Sequence, residues 1–120
     1  MAQDALHEQI KSLMPQAWED LTRAVSFRSV ADGSEPEECE RMVEWTVDAL
    51  SGVGVRDVRA YETADGSKTV TGQVTGPPGA PTVLLYFHHD VQPASDEGWE
   101  SPPWKLTTRN DRWYGRGAAD

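Results

Sequence analysis

The sequence predicts an α/β domain in which two helices are followed by a mixed, incomplete β-sheet. Apolar residues recur every three or four positions over residues 6–50, and beyond Gly54 the period changes to two. At 120 residues the chain is long enough for one small core and too short for two domains.

Leu6, Ile10, Leu13, Ala17, Leu21 and Val25 form one helical face, which Pro15 interrupts. Pro15 either kinks one long helix or opens a second after a short break. Residues 29–33 read as a polar connector. Ser34 with Glu37 three residues later forms a capping-box pattern, and Pro36 suits a first helical turn. This helix should run to about Ser51, with Gly52 or Gly54 as its stop.

Val55, Val58 and Tyr61 mark a strand, Asp65-Gly66 a turn, and residues 70–75 a second strand. Gly76-Pro77-Pro78-Gly79 is a tight connection. Residues 82–87 (Thr-Val-Leu-Leu-Tyr-Phe) are apolar on both faces and predict a third strand central in its sheet. A loop containing Trp and Pro follows Pro93, and residues 105–108 and 112–114 form a short hairpin around Asn110-Asp111.

Composition narrows the function classes. With 20 acidic against 11 basic residues the net charge is -9, which disfavours nucleic acids and anionic membranes as partners. No apolar run reaches the roughly 20 residues of a membrane span, and the N-terminus lacks the pattern of a secretory signal. Cys39 is the single cysteine and sits at helical spacing with Met42, Val43 and Val47, as a small core residue would. A cytoplasmic protein is expected.

The chemistry gathers where the apolar run ends, in Tyr86-Phe87-His88-His89-Asp90-Val91-Gln92-Pro93. Side chains at i and i+2 of a strand share a face, so His88 and Asp90 point one way and His89 the other. A ligating imidazole commonly gives its second ring N–H to a carboxylate, which fixes the tautomer. His88 as metal ligand with Asp90 as its orienter fits that pattern, whereas His89 has only Val91 in the matching position. Alone, His-x-Asp is a weak signal. The second candidate is Asp120, which follows Tyr114-Gly115-Arg116-Gly117. Glycines there permit turns and close approaches that would aim a carboxylate.

Taken as a pair, about thirty residues apart, these segments resemble two signatures of the co-catalytic zinc peptidase family. That family includes carnosine and other dipeptidases, glutamate carboxypeptidase, and acetylornithine and succinyl-diaminopimelate deacylases. Its first signature is an apolar strand, then Gly-His-x-Asp-Val-x-Pro; its second is Tyr-Gly-Arg-Gly-x-x-Asp. Phe87 stands where the family has Gly, and His89 where Tyr, Leu or Met is commoner. The resemblance implies that residues 1–120 are the N-terminal portion of a peptidase catalytic domain, without its lid or dimerisation domain. It assigns His88 and Asp120 to metal, Asp120 as a bridge between two Zn²⁺, with Asp90 orienting His88. Mn²⁺ or Co²⁺ could replace zinc.

The implied reaction is hydrolysis of a dipeptide amide bond by water held between the two ions, and the implied parent is a homodimer. Gln92 tilts the reading toward dipeptidases and away from deacylases of N-acyl amino acids. The general base, a Glu-Glu pair in this family, would follow the second signature. Residues 1–120 are therefore expected to be inactive alone. A different class of reading is a non-catalytic binding module that uses Trp99, Trp104 and Trp113 as contacts, although packing roles suit these residues better.

Overall fold

A computed structural model describes all residues, Met1–Asp120. Helix α1 spans Ala2–Ser26 and α2 spans Pro36–Gly52. The strands are β1 (Arg56–Glu62), β2 (Lys68–Gln73), β3 (Thr107–Arg109) and β4 (Arg112–Tyr114). The chain divides into two compact units, residues 28–92 and residues 1–27 with 93–120.

In the unit of residues 28–92, α2 packs on the antiparallel β1–β2 hairpin. Pro36 occupies the first turn, where its missing N–H leaves no helical bond unmade. The N-cap is Glu35, one residue later than the capping box predicts. Ser34 is engaged instead by Asp32, whose Oδ1 accepts from both the Ser34 amide and its hydroxyl. This short-range bond competes with the cap for the same side chain. Met42, Val43 and Thr46 form the buried face of α2, with Ser29 and Val30. Lys68 of β2 binds both carboxylate oxygens of Glu40, at 2.5 and 2.7 Å.

In the other unit, α1 is a single helix that runs through Pro15. Its N-terminal half is exposed, with Leu6, Ile10 and Leu13 each more than half accessible. Its C-terminal half is anchored. Val25 and Phe27 are buried, as is Leu106, and Trp18 meets Trp113 edge to face with centroids 5.2 Å apart. The β3–β4 hairpin closes as predicted on Asn110-Asp111, at φ 50° and 58°, the left-handed pair of a type I′ turn.

One expectation is overturned. Residues 82–87 form no strand, and Val83, Leu84, Leu85, Tyr86 and Phe87 are 62–88% exposed. A central strand needs a ladder on each side, but β1 pairs only with β2 and β3 only with β4. No further strand is present to flank the segment. The predicted mixed sheet is accordingly two antiparallel hairpins and one isolated parallel bridge, Val30 to Val91.

Candidate functional site

The bridge fixes the chain just past the two histidines. The Val91 amide donates to the Ser29 carbonyl at 3.0 Å, and the Ser29 hydroxyl donates to the His89 carbonyl at 2.9 Å. Ser29 is 1% exposed. It therefore holds residues 89–91 from the buried side, a role that nothing in its local sequence signals.

His88 and Asp90 are together. His88 Nδ1 lies 2.9 Å from the Asp90 carbonyl oxygen and 3.1 Å from Oδ1 of its carboxylate. Both partners are acceptors, so Nδ1 is the donor in these contacts. A metal-binding imidazole commonly gives its second ring N–H to a carboxylate or carbonyl in this way. Both side chains are about half exposed, at 46% and 52%.

His89 is placed differently. It is half-buried, its Nδ1 is buried with no hydrogen-bond partner, and burial pushes its pKa below the ordinary value against the pull of Asp90. Cys39 belongs to the same unit. Its Sγ lies 3.3 Å from the Val30 carbonyl, and burial raises its thiol pKa, reinforced by the nearby charge of Asp90. A protonated thiol is a poor metal ligand.

Asp120 lies in the other unit, at the end of a turn with several fastenings. The Arg116 amide donates to the Pro103 carbonyl at 2.7 Å, and the Ala118 amide to the Gly115 carbonyl at 3.1 Å. Gly117 sits at φ 82°, a left-handed value that favours glycine. Gly115 is required by packing: a Cβ there would stand 2.8 Å from Val25 Cγ1. Two of the three tryptophans proposed as external contacts are engaged in packing. Trp113 meets Trp18, and Trp99 lies under the Arg116 guanidinium at 5.1 Å.

No group of three or more His, Cys, Asp or Glu side chains is arranged to hold a metal ion. What the chain carries is an oriented imidazole in one unit and a turn-borne carboxylate in the other. The donor chemistry fits a divalent ion of the zinc type, which takes imidazole nitrogen and carboxylate oxygen together.

Fold and residue chemistry thus describe an α/β chain with two short segments that carry metal-donor side chains. The family model described as Peptidase family M20/M25/M40 matches residues 84–120, which include both segments. A cysteinylglycine-S-conjugate dipeptidase of Corynebacterium striatum is 45% identical over 68% of this chain and 18% of its own length. A Cys-Gly metallodipeptidase of Schizosaccharomyces pombe is 37% identical over all of this chain and 28% of its own. Among solved structures, a di-peptidase from Saccharomyces cerevisiae superposes with a TM-score of 0.81 at 28% identity. Human carnosine dipeptidase 1 superposes at 0.83 and 27%. Each superposition covers 94% of this chain and 26% of the other. The chain is thus similar to peptidase family M20/M25/M40 over residues 84–120 and to dipeptidases along its whole length. It spans between about a fifth and about three tenths of the length of these relatives.

Proposed function

We propose that residues 1–120 are the N-terminal portion of the catalytic domain of a metal-dependent dipeptidase. The observation that carries this reading is the His88 Nδ1 contact with Asp90, the carboxylate pairing that commonly orients a metal-binding imidazole. In this reading His88 through Nε2 and Asp120 through its carboxylate hold the metal, and Asp90 fixes the imidazole. A bound pair of divalent ions, zinc by donor preference, supplies Lewis-acid activation of water and of the scissile carbonyl. The chain's own residues supply position: Ser29 and the Val30–Val91 bridge hold the backbone beside His88. The substrate is a dipeptide, as the names of the matched relatives suggest. The single cysteine suits a reducing compartment, and we place the protein in the cytoplasm.

Two donors do not complete a zinc sphere, which takes at least three protein ligands in catalytic sites. The 120-residue chain should therefore bind zinc weakly and hydrolyse nothing. The test is a zinc titration of isotope-labelled chain followed at the imidazole nitrogens. Zinc should perturb Nε2 of His88, His88→Ala should remove the response, and His89→Ala should keep it. A response that survives His88→Ala, or is lost equally in both variants, overturns the ligand assignment. Dipeptide hydrolysis by a purified, protease-free sample overturns the reading of the chain as a portion.

A further inference from the structure

The Gly-Arg-Gly turn contains one residue that the proposed function leaves without a role. Arg116 is fastened at three points within its own unit. Its amide donates to the Pro103 carbonyl at 2.7 Å, and its guanidinium lies 5.1 Å over the Trp99 ring. Its Nη2 makes a long 3.4 Å bond to the Pro93 carbonyl. Its Nε is buried without a partner. A guanidinium spends desolvation free energy at such a place, and an unsatisfied buried donor adds to the cost. A solvated arginine in a surface turn would have neither.

The three contacts reach different parts of the 93–104 loop: its first residue, its middle and the fully buried Pro103. They converge on the residue that starts the last four-residue step to Asp120. Behind the turn, Gly115 rests against Val25 of α1. The turn can neither slide toward the helix nor swing away from the loop.

We propose that Arg116 is a positioning residue for Asp120, acting through its stack on Trp99 to fix where that carboxylate points. The proposal rests on the reading of Asp120 as a metal ligand. Groups that orient a ligand typically contribute about 10–100-fold to metal affinity. Lysine cannot replace arginine in this role, because an ammonium cannot lie flat on an indole and bond sideways at once.

The test is a Zn²⁺ titration of the full 120-residue chain by NMR, read at the Asp120 amide. Near-UV circular dichroism of the Trp18–Trp113 pair reports whether each variant keeps its fold. Arg116→Ala, Arg116→Lys and Trp99→Ala should each weaken zinc binding at Asp120 about tenfold with that signal retained. Combining Arg116→Ala with Trp99→Ala should weaken it less than the two losses added, since both remove the same stack. If Arg116→Ala does not fold, Arg116→Lys and Trp99→Ala decide the matter. Wild-type affinity in the folded Arg116 variants, with Asp120→Asn weakened, overturns the positioning role and leaves the ligand reading intact. Unchanged affinity in Asp120→Asn, or no zinc response at Asp120 in the native chain, overturns the ligand reading and the positioning role with it.

Discussion

Gly115→Ala is the substitution whose outcome the geometry fixes most closely. The new Cβ would stand 2.8 Å from Val25 Cγ1 and 3.5 Å from both Val25 Cγ2 and Leu106 Cδ1. Ordinary carbon contacts begin near ~3.5 Å, so one contact is short by about 0.7 Å and the others are normal. Val25 is a β-branched residue in a helix, 3% exposed, and has essentially one rotamer available. Relief must come from backbone movement, which in overpacked cores costs about 1–3 kcal/mol. Removing a glycine from the unfolded chain returns roughly 0.4–1 kcal/mol. The net destabilisation should be about 1–2 kcal/mol, a fall in Tm of about 4–8 °C for a chain of this size.

Thermal unfolding by far-UV circular dichroism, with urea denaturation to check that m is unchanged, measures this loss. Val25→Ala costs stability by itself, but combined with Gly115→Ala the losses should be less than additive, because the short contact disappears. A Gly115→Ala chain as stable as the native one refutes the close packing of the turn on α1. A double variant whose losses simply add refutes Val25 as the cause.

Two further predictions concern titration. Hydrogen bonds from the Ser67 hydroxyl, then the Thr63 hydroxyl and the Ser67 amide, hold the Asp65 carboxyl down at about 2. A lowered carboxyl pKa stabilises the fold above the unfolded value of 3.8 and loses that contribution as pH falls through about 2. Carboxyl ¹³C titration should therefore show Asp65 ionised at pH 3, and a midpoint at or above 3.8 would remove the turn network from the account. The Cys39 thiol, raised first by burial and then by Asp90, Asp32, Glu35 and Glu38, should alkylate more slowly at pH 8 than in urea-unfolded chain. Its contribution to stability is present below the unfolded thiol pKa and is lost as pH rises through the elevated folded one. Equal rates in folded and unfolded chain would show that the thiol is not shielded.

What could be read from sequence follows the range of the interactions. Both helices, both hairpins and the Asn110-Asp111 turn are specified by neighbours a few residues apart, and all appear close to their predicted places. The shift of the α2 cap to Glu35 is also local, because Asp32 competes for Ser34. Residues 82–87 differ in kind. Their composition says they suit a buried strand, but a strand exists only with partners, and composition cannot supply those. At the candidate site, His88 and Asp90 do meet, but through a hydrogen bond two residues apart and not through strand alternation, since no strand forms there. Ser29 escaped notice because its bond to His89 spans 60 residues of sequence.

The same distinction explains how each metal-type segment holds its form in a chain that builds no complete coordination shell. His88 does not rely on residues 82–87 for orientation: its Nδ1 turns to Asp90 two residues on, and Ser29 and Val30 hold the backbone just beyond. Asp120 follows a turn fastened by Gly115 against Val25 and by Arg116 on Trp99, Pro93 and Pro103. The backbone beside each proposed ligand is thus held by contacts inside its own unit. A segment held beforehand loses less conformational freedom when metal binds, so more of the binding free energy appears as affinity. Loss of either set of local contacts should weaken metal binding even where the ligand side chain itself is untouched.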